Sequence, residues 1–440
     1  MFNGPAAVVI EDYAHHPAEI AALLAALRAA WPRHRLAAVF QSHRFSRTKQ
    51  FLDGFASALA AADSVHLLET YGAGERPLPG GGLSDLRAAL RKTAPNLPVS
   101  AGAPALEKIS ATADAPAVIA FIGAGDIHRH ARALARRLAC AEWDALARRL
   151  VARREEPLAP KTTLRIGGAA RLYAEPENTD DLRRLVRAAR EAGVPVFMLG
   201  RGSNLVVPDN GLDALVIALR GPGWERVELL PNGDIFAAAG CRLQRLCAFA
   251  MSRGIAGFEA LAGIPASLGG ALRMNAGAHG VSLLERVVEL HRLSPAGNVA
   301  RLPRGRLGAG YRRCAALEKT GAIALGAVLR GTGADAPEAI AARMRAFAAQ
   351  RRRSQPREPS AGCVFRNPPG DSAGRLIDAA GLKGLRVGGA RVSPVHANFI
   401  VNTGGATAAD FLALARLVRE KVAQKHALTL APEILFPGGL

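Results

Sequence analysis

Seven glycines fall between Gly254 and Gly280, in a stretch whose charged residues are only Glu259 and Arg273. Glycine that dense loses much conformational entropy on folding, so something must require backbone where a side chain would intrude. The segment GFEALAGIPASLGGALRMNAGAHG (257–280) is too apolar for a linker, since Phe258, Leu261, Ile264, Leu268, Leu272 and Met274 need burial. Close approach to a flat cofactor carrying a pyrophosphate would account for both properties. A second glycine turn, LGRGSNLVV (199–207), follows the strand-like VPVF and gathers Gly200, Gly202, Ser203 and Asn204. Successive free N–H groups in such a turn form a nest for phosphate oxygens, although an ordinary turn would read the same. It is not the dinucleotide fingerprint. There a helix follows G-x-G-x-x-G, whereas NLVVPDNG reads as strand and then turn.

The 440 residues suit two to four domains at roughly 100–200 residues each. Over 1–137, AVVIEDY (7–13), RLAAVFQ (35–41), SVHLLET (64–70) and APAVIAFIG (115–123) read as strands. Between them lie a helix opened by Pro17 and others near 48–62 and 83–92, an alternation that predicts parallel α/β layering. Residues 128–156 are expected to form a closing helix and a second, connecting one, with Pro157 and Pro160 ending a linker over 138–160. From Lys161 the texture changes to α+β, with a domain over 161–330 and another over 331–440. KTTLRIGGAARLYAEP suggests two extended pieces around a glycine turn, and TDDLRRLVRAAREAG (179–193) a helix with Thr179 as N-cap. A helix near 335–353 leads to GRLIDAAGLKG (374–384), a helix ended by glycine, and to the strand-like HANFIVNTG (396–404). TAADFLALARLVREKVAQKHA (407–427) opens with a Thr407/Asp410 capping box.

Composition removes several function classes. The net charge of +20 comes from arginines spread along the chain, and aromatics make up only 5%, so no nucleic-acid footprint is expected. Five cysteines (Cys140, Cys241, Cys247, Cys314, Cys363) with no C-x-x-C spacing argue for a reducing compartment and against a disulfide scaffold. Cys140 and Cys247 sit at helical positions and read as core; Cys241 fits either core or surface. H-E-x-x-H and G-x-x-x-x-G-K-[ST] are both absent, so neither a zinc site nor an ATP-hydrolysing loop is expected. No apolar run is long enough to span a bilayer and no signal peptide opens the chain, so a cytoplasmic protein without a membrane partner is expected. Cys363, in AGCVFRNP (361–368), admits three readings from its surroundings: core filler, metal ligand, or an acid that hands a proton to a substrate.

From Thr163 onward, TLRIGG, LGRGSNLVV, GFEALAGIPASLGGALRMNAGAHG, GYRRC, SAGCVFRNP, AGRLIDAAGLKGLRVGGARVSPVHANFIVN and APEILFPG occur in one order over most of the remaining chain. This part resembles the UDP-N-acetylenolpyruvoylglucosamine reductases, flavoenzymes of peptidoglycan precursor synthesis, in their shorter class. The resemblance implies an FAD-binding fold of the vanillyl-alcohol-oxidase type, a substrate-binding domain, and NADPH as reductant. It further implies that UDP-N-acetylglucosamine enolpyruvate is reduced to UDP-N-acetylmuramate. Carried onto this chain, the family's proton-donor serine falls on Cys363, its active-site arginine on Arg312 and its C-terminal glutamate on Glu433. The two turns would bind FAD through Gly200, Arg201, Gly202, Ser203, Asn204, Gly263, Ile264, Pro265, Ser267, Gly269, Gly270, Asn275 and Gly277. Tyr311, Arg366 and Asn367 would contact the substrate. A thiol, with a free pKa of ~8.5, can donate a proton as a hydroxyl does, so the departure from serine keeps the role.

EDYAHHPAEI (11–20), AVFQSHRFSRT (38–48), LLETYGAGE (67–75) and FIGAGDI (121–127) resemble the last domain of the UDP-N-acetylmuramate–L-alanine ligases. That likeness marks Asp12, His15, His16, His43, Arg44 and Arg47 as half of a ligase site. Without the ligase's central domain, no ligation is expected. The competing expectation is a non-catalytic nucleotide-sugar binding scaffold, left over from a ligase–reductase fusion.

Overall fold

The runs at 36–40 and 118–122 are almost entirely buried, as strands inside a parallel sheet covered on both faces must be. The computed structural model describes residues 2–3, 7–102 and 116–437. It divides into two compact units, Met1–Ala145 and Leu146–Leu440. In the first, β1 (Phe2–Asn3), β2 (Ala7–Asp12), β3 (Arg35–Phe40), β4 (Ser64–Leu67), β5 (Val99–Ala101) and β6 (Ala117–Ile122) form one sheet. Its order is β1-β2-β6-β3-β4-β5, parallel throughout except for β1 against β2. Helices α1 (Pro17–Ala30), α2 (Leu52–Leu59) and α3 (Leu83–Thr93) bury Ile20, Leu24, Phe55, Leu59, Leu86 and Leu90 with the Leu36, Ala38 and Phe40 face. The Val9, Val39, Ile119 and Phe121 face packs on Ile127, Ala131 and Leu134 of α4 (Ile127–Leu150). The α/β expectation holds.

The second helix expected within 138–160 does not form. α4 is a single helix, and Val151, at φ +50°, is followed by β7 (Arg153–Pro157), antiparallel to β8 (Ala169–Ala174). The charges of RREEP disguise a period-2 edge strand, whose side chains alternate between exposed and half-buried. Arg153 and Lys161 lie over the Tyr173 ring at 4.8 and 4.7 Å, and Lys161 pairs with Glu156 at 2.8 Å. β7 and β8 continue into a four-stranded sheet through β10 (Leu212–Ile217) to β9 (Val196–Met198), flanked by α5 (Thr179–Glu191). The N-cap of α5 is Asn178, not Thr179; its side chain accepts from the N–H groups of Asp180 and Asp181. KTTLRIGG contributes no strand. Nor does NLVV, where Leu205 makes only an isolated bridge with Leu435, a partner invisible to any local pattern.

A five-stranded antiparallel sheet follows, built from β11 (Val227–Leu229), β12 (Ile235–Ala238), β13 (Val287–Leu293), β14 (Val299–Pro303) and β15 (Ile323–Leu329) in the order β11-β12-β15-β13-β14. Onto it pack α6 (Leu243–Met251) and α7 (Leu268–Arg273), so the apolar residues of the glycine-dense stretch lie in its core. α8 (Pro337–Ser354) leads to the last sheet, formed by β16 (Ser360–Cys363), β17 (Arg386–Val387), β18 (Ala390–Val392) and β19 (Phe399–Asn402). α9 (Ala373–Ala379) and α10 (Ala408–His426) cover it, and α10 opens with the expected Thr407/Asp410 box.

Candidate active site

Both glycine turns face one cavity of about 1710 Å³ in the Leu146–Leu440 unit, together with Arg312, Arg351, Cys363 and Glu433. Gly202 takes φ +61°, and a Cβ there would stand 2.7 Å from Thr162 Cα, so only glycine suits the turn. Adjacent glycines on α7 serve different ends. The Gly269 N–H donates to the Ala239 carbonyl at 2.7 Å, and its Cβ would press on Ala239 at 3.1 Å. Gly270 would meet only Ser267 Oγ, at 3.6 Å, and otherwise opens on the cavity. One glycine therefore seats the helix, and the next leaves room for a ligand. The open backbone between these turns fits a cofactor with a pyrophosphate.

The reactive groups come from three distant segments. Arg312 lies at the tip of the short antiparallel hairpin at 309–314 and sits at φ +53°, a conformation that costs a non-glycine residue on the order of 1–3 kcal/mol. Its Nε donates to Glu433 Oε1 at 2.6 Å, and the Glu433 side chain is 12% exposed. The C-terminal segment is pinned beside β16, because the Glu433 N–H donates to the Val364 carbonyl at 2.8 Å. Asn204 Nδ2 donates to the Glu433 backbone carbonyl at 3.1 Å, tying the first glycine turn to the segment that carries the carboxylate. Cys363 ends β16, half-buried, after Gly362 at φ +83°. Burial pushes its thiol up to about 12, and the Glu433 carboxylate adds to the rise while Arg312 and Arg351 oppose it. At neutral pH the cavity thus holds a protonated thiol beside a carboxylate–guanidinium pair. Such a set can donate a proton and stabilise a developing negative charge.

Arg201, Ser203, Ile264, Pro265, Ser267 and Gly277 also line the cavity. Asn275 does not: its amide donates to the Gly310 carbonyl at 2.8 Å and accepts from the Leu284 N–H at 3.1 Å, so it braces the loop carrying Arg312. Tyr311 lies outside the lining, 56% exposed, with the Arg312 guanidinium 5.2 Å from its ring centre. Arg366 and Asn367 are exposed and outside it as well. Asn367 Oδ1 accepts from the Ala373 N–H at 3.1 Å, at the start of α9. Cys140 is exposed rather than core, whereas Cys241 and Cys247 are buried. Among the described residues, no group of three or more His, Cys, Asp or Glu side chains could hold a metal ion.

Sequence reasoning missed Arg351. It lies in the run RRRSQP, which reads as solvated charge, yet it lines the cavity, and burial lowers its pKa. A signal existed. Ile340, Met344, Phe347 and Arg351 follow a 3–4 spacing, so the arginine falls on the apolar stripe of α8.

In the Met1–Ala145 unit, the ligase-like residues follow the carboxyl ends of β2 and β3; Asp12, His15 and His16 bond their own chain, whereas His43 Nδ1 is buried without a partner among the described residues. Asp12 Oδ1 accepts from the Ala14 N–H at 2.8 Å, and His16 caps α1. His15 Nδ1 lies 3.1 Å from the Tyr13 carbonyl. The His43 ring stacks on Tyr71, and burial, then Arg47 and Arg44, pull its pKa down.

Three family models match the chain. Residues 2–128 match the Mur ligase glutamate ligase domain, 170–303 an FAD binding domain, and 355–436 the C-terminal domain of UDP-N-acetylenolpyruvoylglucosamine reductase. The chain is 43% identical over 284 residues to the UDP-N-acetylenolpyruvoylglucosamine reductase of Pelobacter propionicus, covering 64% of itself and 95% of that relative. The Geobacter metallireducens reductase is 43% identical over 288 residues, covering 65% and 93%. The crystal structure of the Thermus caldophilus reductase aligns with a TM-score of 0.57 and 37% identity, covering 65% of this chain and 99% of that one.

Proposed function

We infer that this chain, which belongs to the UDP-N-acetylenolpyruvoylglucosamine reductase family, reduces UDP-N-acetylglucosamine enolpyruvate to UDP-N-acetylmuramate, with FAD as cofactor and NADPH as reductant. The observation that carries this reading is the Cys363 thiol and the Arg312–Glu433 pair sharing one cavity with two glycine turns. Held at the two glycine turns, FAD would supply the redox chemistry that links NADPH to the enolpyruvyl double bond.

The chain's own residues handle charge and protons. Hydride arrival leaves negative charge on the carbon bearing the carboxylate. Arg312, oriented by Glu433, stabilises that charge where it develops. Cys363 then gives its proton to that carbon and regains one from solvent. With burial pushing its pKa up to about 12, the thiol is protonated before the step. Arg351 has no ion pair among the described residues and offers its charge to an anionic group of the substrate. The turn at 200–204 and the cavity-lining residues of 263–277 would hold the cofactor.

The Met1–Ala145 unit carries a glutamate ligase domain and no phosphate-binding loop in its sequence, so we assign it no ligation. A purely scaffolding role is disfavoured, because a remnant would have no reason to keep an assembled ion pair and acid at the cavity. The deciding experiment is the visible spectrum of the purified chain, with the cofactor released by heat. A yellow, fluorescent flavin in near-stoichiometric amount is expected. Protein that stays colourless after reconstitution with FAD would overturn the reading.

A further inference from the structure

The glycine-dense stretch is gripped from outside by one face of α8. Arg343, Phe347 and Arg351 recur every four residues on that helix and so point the same way. Each meets a different point of the stretch or of its entry. Arg343 donates from Nε and Nη2 to Glu259 Oε1 at 3.1 and 2.7 Å. Its Nη1 stands 2.7 Å from Asp335 Oδ2, just before the helix begins. Four residues on, the Phe347 ring lies 4.4 Å from the ring of His279, a residue held at φ +51° in the same stretch. Four residues further, Arg351 crosses Gly263. A Cβ at Gly263 would stand 3.0 Å from Arg351 Cδ and 3.4 Å from Nη1, so the glycine clears the path of the guanidinium into the cavity.

The first of these contacts is unlike the scattered surface ion pairs elsewhere. Glu259 is 8% exposed, in the short turn Glu259–Leu261, and its second oxygen accepts from the Gly257 N–H at 2.8 Å. Burial alone would raise the carboxyl's pKa, yet the arginine and the backbone donors hold it below the usual carboxylate range. A buried carboxylate left without its cation is costly, so the register of α8 on this turn is strongly specified at that point. At the other end of the same face stands Arg351, a cavity cation with no ion pair among the described residues. Arg312, by contrast, is matched by Glu433. A long arginine without an acidic partner takes its place from the helix that carries it.

We propose that Glu259 and Arg343 are positioning residues for substrate binding: their ion pair seats α8 on the glycine-dense stretch and thereby sets where Arg351 meets an anionic group of the nucleotide-sugar substrate. The proposal rests on the reductase reading of the cavity. It assigns a functional consequence to a contact lying outside that cavity. Neither residue touches the ligand.

The test is a double-mutant cycle on the full, FAD-loaded chain, with Arg343→Met, Arg351→Met and the pair. Affinity for UDP-N-acetylglucosamine enolpyruvate is read from its perturbation of the flavin absorbance, and exchange of α8 amides is followed in the same samples. Arg343→Met should keep its FAD and bind substrate about tenfold more weakly, the scale of one displaced charged contact. Arg343→Lys should recover most of that loss. The double variant should bind no more weakly than Arg351→Met alone, because one change acts through the other. A purely structural pair would lower the melting temperature and leave affinity untouched, and that result overturns the proposal. Losses that add in the double variant overturn it too. If the parent chain holds FAD but does not bind the nucleotide sugar, the reductase reading falls and the exchange data judge the seat alone. Faster exchange along α8 in Arg343→Met, but not in Arg351→Met, then supports the seat; unchanged exchange ends it.

Discussion

The two units spend their polar residues in opposite ways. In Met1–Ala145, several of the ligase-like residues engage their own chain: Asp12 closes a turn, His16 caps a helix, and the His43 ring stacks on Tyr71. In Leu146–Leu440, Arg312, Glu433 and Cys363 converge from positions up to 121 residues apart and face a shared cavity. A motif marks where a family keeps its polar side chains. Whether those groups have hydrogen-bonding capacity left for a ligand depends on what folds around them. The contrast predicts that chemistry in this chain belongs to the second unit alone.

The strongest test of that contrast removes the acid. Cys363→Ala should keep FAD and be reduced by NADPH at the parent rate, then lose ~10²–10⁴-fold in reoxidation by the enolpyruvyl substrate, the worth of a placed general acid. Cys363→Ser should retain much of the activity. Stopped-flow absorbance of the flavin band separates the two half-reactions, and reoxidation of the alanine variant at the parent rate would remove Cys363 from the mechanism.

Glu433→Gln should cost less, roughly 10²-fold in the same step, since it weakens the orientation of a charge-stabilising arginine and leaves the acid in place. It should also lower the pKa of the Cys363 thiol, because the carboxylate is one cause of the rise. The sign of the pH dependence follows. A thiol acid works while protonated, so with its pKa pushed up to about 12 the parent's reoxidation rate should show no thiol-linked fall between pH 7 and 10. A falling limb near 8.5, where a free thiol ionises, would mean that Cys363 is not desolvated as found.

Two neighbouring glycines give a sharper, smaller contrast. Gly270→Val should lose FAD with little change in the melting temperature of the apoprotein, because its side chain would point into the cavity. Gly269→Val should lower both, since it pushes α7 away from Ala239. Equal effects of the two changes, read by flavin content and thermal unfolding, would contradict this division.

The smallest effect expected is from removing the first unit. A chain starting at Leu146 should keep its reductase activity, whereas one starting at Leu158 should melt lower. The second truncation strips β7 from β8 and removes the Glu156–Lys161 pair beside Tyr173. Incubation of the full chain with ATP, L-alanine and UDP-N-acetylmuramate should release no L-alanine-dependent phosphate. Robust turnover would place ligation chemistry in Met1–Ala145 and dissolve the contrast between the units.

Local pattern determined a good deal of this protein. Buried runs at 36–40 and 118–122 marked parallel strands, Thr407 and Asp410 marked the start of α10, and glycine density between 254 and 280 marked a place where backbone must come close to something. Those properties belong to short windows, where propensity, capping and side-chain volume act within a few residues. The tertiary structure decided what no window contains. It paired Leu205 with Leu435, so that NLVV is not a strand of its own sheet. It turned the charged RREEP into an edge strand because β8 lay open beside it. It turned Asn275 into a brace, and it closed the Cβ position of Gly269 against Ala239 while leaving that of Gly270 open. It also raised the Cys363 thiol, by burying it beside a carboxylate 70 positions further along the chain. Burial and charge act through space, and distance along the sequence says nothing about either.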